Sequence, residues 1–155
     1  MTTQDQHPIA FAADHAGFEL KSQLKTVVAE LGLAALDLGT EGPDSVDYPD
    51  FAERLVQAIR DGRATRGVLV CGTGIGISIA ANRHPWIRAA VCTSVSAARL
   101  TRQHNDANVL ALGARLVGPQ VARDCLEAFL TTPFEGGRHA RRVAKLGSPA
   151  GCDGS

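Results

Sequence analysis

The sequence predicts an α/β protein: a five-stranded parallel sheet with helices on both faces and an extra helix at the C-terminal end. Three observations carry this. Short apolar runs alternate five times with segments of helical period. The 155 residues suit one compact domain. No internal repeat or second domain interrupts the alternation.

Ile9 to Ala13 is an apolar run that ends in the polar pair Asp14-His15, and it reads as a buried strand. Phe18, Leu20, Leu24, Val27, Val28 and Leu31 recur at helical spacing, and Gly32 fits a helix stop. Ala34 to Leu38 is the second strand, and Gly39 to Pro49 is a loop rich in Gly, Pro and Asp. Phe51, Leu55, Val56 and Ile59 mark a helix ending near Gly62. Val68 to Cys71 is the third strand, Gly72 to Gly76 a glycine-rich turn, and Ile77 to Asn82 the start of a helix. Ala89 to Cys92 is the fourth strand. Ser94 or Ser96 caps a helix running to about His104. Val109 to Leu112 is the fifth strand. Pro119 opens a helix carrying Val121, Cys125, Leu126 and Phe129, and Pro133 interrupts it. The basic segment from Gly137 to Leu146 reads as a last helix. Residues 1–8 are expected to be disordered or extended, residues 9–146 to form the domain, and residues 147–155 to be a flexible tail.

The chain carries 16 Lys and Arg against 16 Asp and Glu, for zero formal charge. That balance gives no electrostatic reason to expect a nucleic-acid or membrane partner. No window approaches the roughly 20 apolar residues of a bilayer span, and the polar start lacks the apolar run of a signal peptide. A cytoplasmic protein is expected. Cys71, Cys92, Cys125 and Cys152 form neither a CxxC pair nor a Cys/His ligand pattern, so structural zinc and a disulfide framework are not expected. Cys92 and Cys125 read as core residues and Cys152 as incidental.

Three polar constellations lie next to predicted strands: Asp14-His15, Cys71 to Gly76, and His104 to Asn108. They are expected to converge, because ligands in open α/β sheets bind beyond the carboxyl ends of strands. The run Cys71-Gly72-Thr73-Gly74-Ile75-Gly76 reads in two ways. One is an anion hole of backbone N–H groups at a helix N-terminus, with a thiol poised on its lip. The other is a tight strand-to-helix turn after a buried cysteine. The glycine spacing fits neither the dinucleotide fingerprint nor the P-loop. Asp14 is an acid beside an imidazole, or simply a helix cap. His104 beside Asn105 suits proton transfer to oxygen-bound groups, or is an ordinary polar helix end. Arg138 and Arg142 stand one helical turn apart and suit a phosphate, as does Arg115, or they belong to a solvated basic surface.

Longer motifs sharpen this reading. The segments are Asp14-His15-Ala16-Gly17, Asp47-Tyr48-Pro49, Cys71 through Asn82, Arg102 through Gly113, and Glu135-Gly136-Gly137-Arg138-His139. In order, and across about Ile9 to Leu146, they resemble the ribose-5-phosphate isomerase B family. The resemblance implies a Rossmann-like three-layer α/β/α sandwich and interconversion of ribose 5-phosphate and ribulose 5-phosphate without a cofactor or a metal. It also implies a homodimer, sometimes paired into a tetramer, with sites shared between subunits. By position, Cys71 matches the base of the cysteine-using branch, since Ile75 to Ile79 contains no acid. Thr73 and His104 match residues linked to sugar-ring opening. Asp14 and Asn105 match residues that hold sugar oxygens. His15, Arg115, Arg138 and Arg142 match the phosphate site, and Tyr48 a pocket-lining tyrosine. The amides of Gly72, Gly74, Ile75 and Gly76 would face the developing oxyanion. The scaffold is also similar to galactose-6-phosphate, allose-6-phosphate and tetrose-phosphate isomerases. A non-catalytic sugar-phosphate sensor is the reading from another class.

Overall fold

The computed structural model describes residues 5–147. The strands are β1 (Ile9–Ala13), β2 (Ala35–Asp37), β3 (Arg66–Cys71), β4 (Ala89–Val91) and β5 (Val109–Gly113). All pair in parallel, in the order β2-β1-β3-β5-β4. The helices are α1 (Phe18–Glu30), α2 (Tyr48–Arg60), α3 (Ile75–Asn82), α4 (Val95–Asn105), α5 (Pro119–Thr131) and α6 (Arg138–Leu146). The expected α/β sandwich is therefore present, with every expected element.

Strand residues alternate between two cores, as a two-residue period requires. Ile9, Phe11, Val68, Val70, Leu110 and Leu112 face one layer, where Leu24 and Val28 of α1, Ala98 of α4, and Cys125, Leu126 and Phe129 of α5 cover them. Ala10, Ala12, Leu69, Cys71, Val109 and Ala111 face the other, under Leu55 and Val56 of α2 and Ile77 and Ala81 of α3. Helix α6 lies outside this frame, against α4. Cys92 and Cys125 are both core residues, and burial pushes the Cys92 thiol up to about 12.

Some element boundaries differ from expectation. Helix α2 begins at Tyr48, not Phe51, because Pro49 occupies a first-turn position where no backbone N–H is needed. Helix α3 begins at Ile75, directly after Gly74. Of the two candidate caps for α4, Ser94 is the one used, its hydroxyl accepting the Ala97 N–H at 3.1 Å.

Three local devices fix the frame. Lys21 is fully buried on α1. Its Nζ donates to Asp37 Oδ1 at 2.7 Å and to the Thr40 carbonyl at 2.6 Å, which ties α1 to the chain leaving β2. At the outer edge of β4, the Asn82 side chain donates to the Ala89 carbonyl (2.8 Å) and accepts the Ala89 N–H (2.7 Å). Below the sheet, the Asp5 carboxylate accepts from the Thr65 hydroxyl and from the His7 N–H. Burial works against its charged form, but these bonds and Arg66 outweigh it and hold the carboxyl at about 2. Residues 1–4 of the expected N-terminal segment, and 148–155 of the expected tail with Cys152, lie outside the described residues. Among the described residues no helix is long and apolar enough to cross a membrane.

Candidate active site

The strand order creates a crevice. The chain leaves β1 toward β2 on one side and leaves β3 toward β4 on the other, so the loops after β1 and β3 diverge. Asp14-His15 follows β1 and Cys71 ends β3, with Ala13 and Val70 in register between the two strands. Asp14 Oδ1 accepts the Gly17 N–H at 3.1 Å, but the cap residue of α1 is Gly17, so Asp14 closes the turn before the helix and is not its cap. Its other oxygen has no protein partner among the described residues. His15 Nδ1 accepts the Val46 N–H at 3.1 Å. An amide can only donate, so Nδ1 is the bare nitrogen and the proton sits on Nε2, where it can donate to an anion.

Cys71 closes β3 at 4% exposure, and the Gly74 N–H points at its Sγ from 3.2 Å. Gly74 makes this possible. Its φ is +78°, and a Cβ there would lie 2.9 Å from the Leu112 backbone. The Thr73 hydroxyl is exposed and accepts the Ile75 N–H at 3.2 Å. The first turn of α3 leaves amide N–H groups without helical partners. Arg115 is tied to the loop, its N–H donating to the Gly72 carbonyl at 2.9 Å, and its guanidinium lies over Gly72. The Tyr48 ring rests on Gly76, where a Cβ would lie 2.6 Å from Cζ. The structure thus gathers Asp14, His15, Tyr48, Cys71, Gly72, Thr73, Gly74, Ile75, Gly76 and Arg115 at the carboxyl end of the sheet.

The third constellation does not join them, and the expected convergence is corrected here. His104 and Asn105 end α4 and lead into β5, so they sit at the amino end of the sheet. Cys71 pairs in register with Gly113, at the far end of β5 from Val109. The strand between them spans about 13 Å at roughly 3.3 Å per residue. The loop to α6 stays at that lower end, where the Glu135 N–H donates to the Gln103 carbonyl at 3.1 Å. His104, Asn105, His139, Arg142, Val143 and Leu146 line a cavity of about 320 Å³ there, and Arg138 stands exposed at the start of the same helix. One chain therefore holds two separate groups of candidate residues, an upper and a lower candidate half-site: Cys71 with the glycine loop at one end of the sheet, His104 with Arg138 and Arg142 at the other.

Reading the sequence overlooked His139. It is 7% exposed, and its ring stacks on that of His104, with centroids 4.5 Å apart and planes 17° from parallel. Burial, then the charges of Arg138 and His104, hold its pKa below the usual histidine value. Its place one turn before Val143 was the available signal, since the pair marks the inward face of an otherwise exposed helix. Lys21 was overlooked too, although it sits among the apolar positions of α1 with Leu20, Leu24 and Val28. Among the described residues no three His, Cys, Asp or Glu side chains come together to hold a metal ion.

Comparison with known proteins agrees with this geometry. Residues 9–146 match the family described as Ribose/Galactose Isomerase. The chain is 47% identical over 138 residues to ribose-5-phosphate isomerase B of Escherichia coli, covering 89% of this chain and 93% of that protein. It is 43% identical over 141 residues to D-erythrulose-4-phosphate isomerase of Pectobacterium atrosepticum, covering 90% and 92%. The crystal structure of a ribose 5-phosphate isomerase from Thermotoga maritima superimposes with a TM-score of 0.90 at 48% identity, covering 94% of this chain and all of that one. With the family match spanning both half-sites, the chain belongs to the ribose/galactose isomerase family and is an isomerase.

Proposed function

We propose that the protein interconverts ribose 5-phosphate and ribulose 5-phosphate, with Cys71 as the base. The observation that carries this reading is the Gly74 N–H aimed at Cys71 Sγ from 3.2 Å, in a loop whose other amides start a helix. The aldose is mostly cyclic, so His104, with Thr73 or Asp14, first moves protons on the ring and anomeric oxygens. The Cys71 thiolate then takes the proton from carbon 2. The electron pair forms the enediolate, whose oxygen faces the Gly72 to Gly76 loop, where the Gly74 and Ile75 N–H groups turn to it from Cys71 Sγ and the Thr73 hydroxyl. The thiol, whose proton exchanges with solvent, returns a proton to carbon 1, and a hydroxyl proton passes from oxygen 2 to oxygen 1. The net change is a hydrogen shift, with no oxidant or reductant. One amide donor at such an oxyanion is worth about 3 kcal/mol of barrier. His15, Arg115, Arg138 and Arg142 hold the phosphate, which anchors the reacting carbons.

The division of these residues between two ends of one sheet supports a site built by two copies. The carboxyl end of one chain would meet the amino end of its partner, in a homodimer or in a tetramer of paired dimers. Tyr48 (39% exposed), Ile75 and Ile79 (62% exposed) put apolar surface beside the upper half-site, as such a contact requires. The similarity to a D-erythrulose-4-phosphate isomerase favours a second reading, in which the same chemistry acts on a four-carbon sugar phosphate.

A panel of four-, five- and six-carbon aldose phosphates decides between the two readings, with the pentose expected to give the highest kcat/KM. Cys71→Ala is expected to keep the fold and phosphate binding. It should lower exchange of the carbon-bound proton with solvent by about 100-fold or more. Full exchange in that variant would remove Cys71 from the mechanism.

A further inference from the structure

Among the described residues no side chain or backbone group hydrogen-bonds the His104 ring. Its one defined neighbour is the imidazole of His139, stacked face to face at 4.5 Å. His139 is in turn fixed from several sides. Its own N–H donates to the Gly136 carbonyl at 3.0 Å, and the Glu135 N–H fastens the loop before it to the end of α4. Its Nε2 is buried without a partner, and the ring lines the same cavity as His104, Asn105 and Arg142. The stacked geometry turns the face of the ring toward His104, so toward that residue it acts as a surface rather than as a donor. We propose that His139 is a positioning residue for His104: it is the floor that sets the plane from which His104 reaches the ring oxygen of a bound sugar.

The charges around the pair fit that role. The groups that face His139 are Arg138 and Arg142 on its own helix, His104 on α4, and Glu135 in the connecting loop. Burial and the two arginines disfavour charge on His139, and Glu135 opposes them only in part. A proton on His139 is disfavoured, so the ring meets His104 as an uncharged aromatic face. A non-aromatic floor would leave His104 free to rotate.

This inference rests on the proposed isomerase reading, with His104 opening the sugar ring. The test separates ring opening from carbon chemistry. Ribulose 5-phosphate cannot close a five-membered ring, because its 5-hydroxyl is esterified. Deuterium uptake at its carbon 1 from heavy water therefore reports the Cys71 step alone, whereas net conversion of ribose 5-phosphate needs both steps. The variants are His139→Leu, which fills the space without an aromatic face, and His139→Phe, which restores one. His139→Leu is expected to lower net conversion about 10- to 100-fold and to leave deuterium uptake within about three-fold of wild type. His139→Phe is expected to recover most of the net conversion. Equal loss of both rates in His139→Leu, no loss at all, or a Phe variant no better than Leu would overturn the inference. A wild-type protein inactive in both assays would instead overturn the isomerase reading itself.

Discussion

Lys21 shows how one residue can govern a loop without touching the chemistry. Its ammonium is fully buried, and it bonds Asp37 and the Thr40 carbonyl, which itself lies next to the end of β1. Lys25 also bonds Asp37, from the solvent side. Removing Lys21 strands a buried carbonyl and half of an ion pair. Lys21→Ala is therefore expected to cost about 3 kcal/mol of stability, and Lys25→Ala less than about 1 kcal/mol, as surface pairs do. Urea unfolding of both variants checks the contrast, and equal effects would show that burial is not what makes the Lys21 pair matter.

At the scale of elements, the strand–loop–helix unit of β3 and α3 makes two separable demands. Gly74 meets a backbone demand: a left-handed φ, and close approach to the Leu112 backbone. Gly76 meets a side-chain demand, the seat of the Tyr48 ring, whose far end is in contact and can swing away. Gly74→Ala is expected to destabilise the fold by about 1–3 kcal/mol. Gly76→Ala is expected to leave the melting temperature nearly unchanged and to raise KM by displacing Tyr48. Thermal melts and steady-state kinetics on the two variants tell these apart.

The elements were largely legible because β1, β3 and β5 are apolar runs buried on both sides, and α1, α2 and α5 carry a core-facing stripe. The upper half-site was legible for a related reason: Asp14 and Cys71 directly follow strand runs, and chain direction fixes the end of the sheet they occupy. The lower half-site was misplaced although the same rule applied, since His104 to Asn108 precedes a strand and must lie at the opposite end. The start of α2 was missed because Pro49 was taken as part of a loop. His139 was hidden inside a basic run, because only the packing of α6 on α4 reveals which of its residues turn inward.

At the scale of the whole molecule, neither half-site has a full acid–base set, and the proposed pairing of copies has a quantitative consequence. Cys71→Ala and His104→Ala subunits are each expected to be inactive alone. Unfolded together and refolded, half of the dimers would combine one of each, and one of the two sites in such a dimer would be intact. Activity should return to about a quarter of wild type. No recovery, with mixed dimers demonstrated by mass, would mean that both residues act within one chain.

The amide clasp of Asn82 on Ala89 limits how those copies can meet. Residues of β4 point their backbone groups alternately toward β5 and outward, and Ala89 is one of the outward ones. With both its groups already satisfied by a side chain, Ala89 offers nothing to an incoming strand, which blunts that part of the sheet edge. Neighbouring molecules are thereby steered away from seam-to-seam growth and toward contact through helix flanks and loop ends.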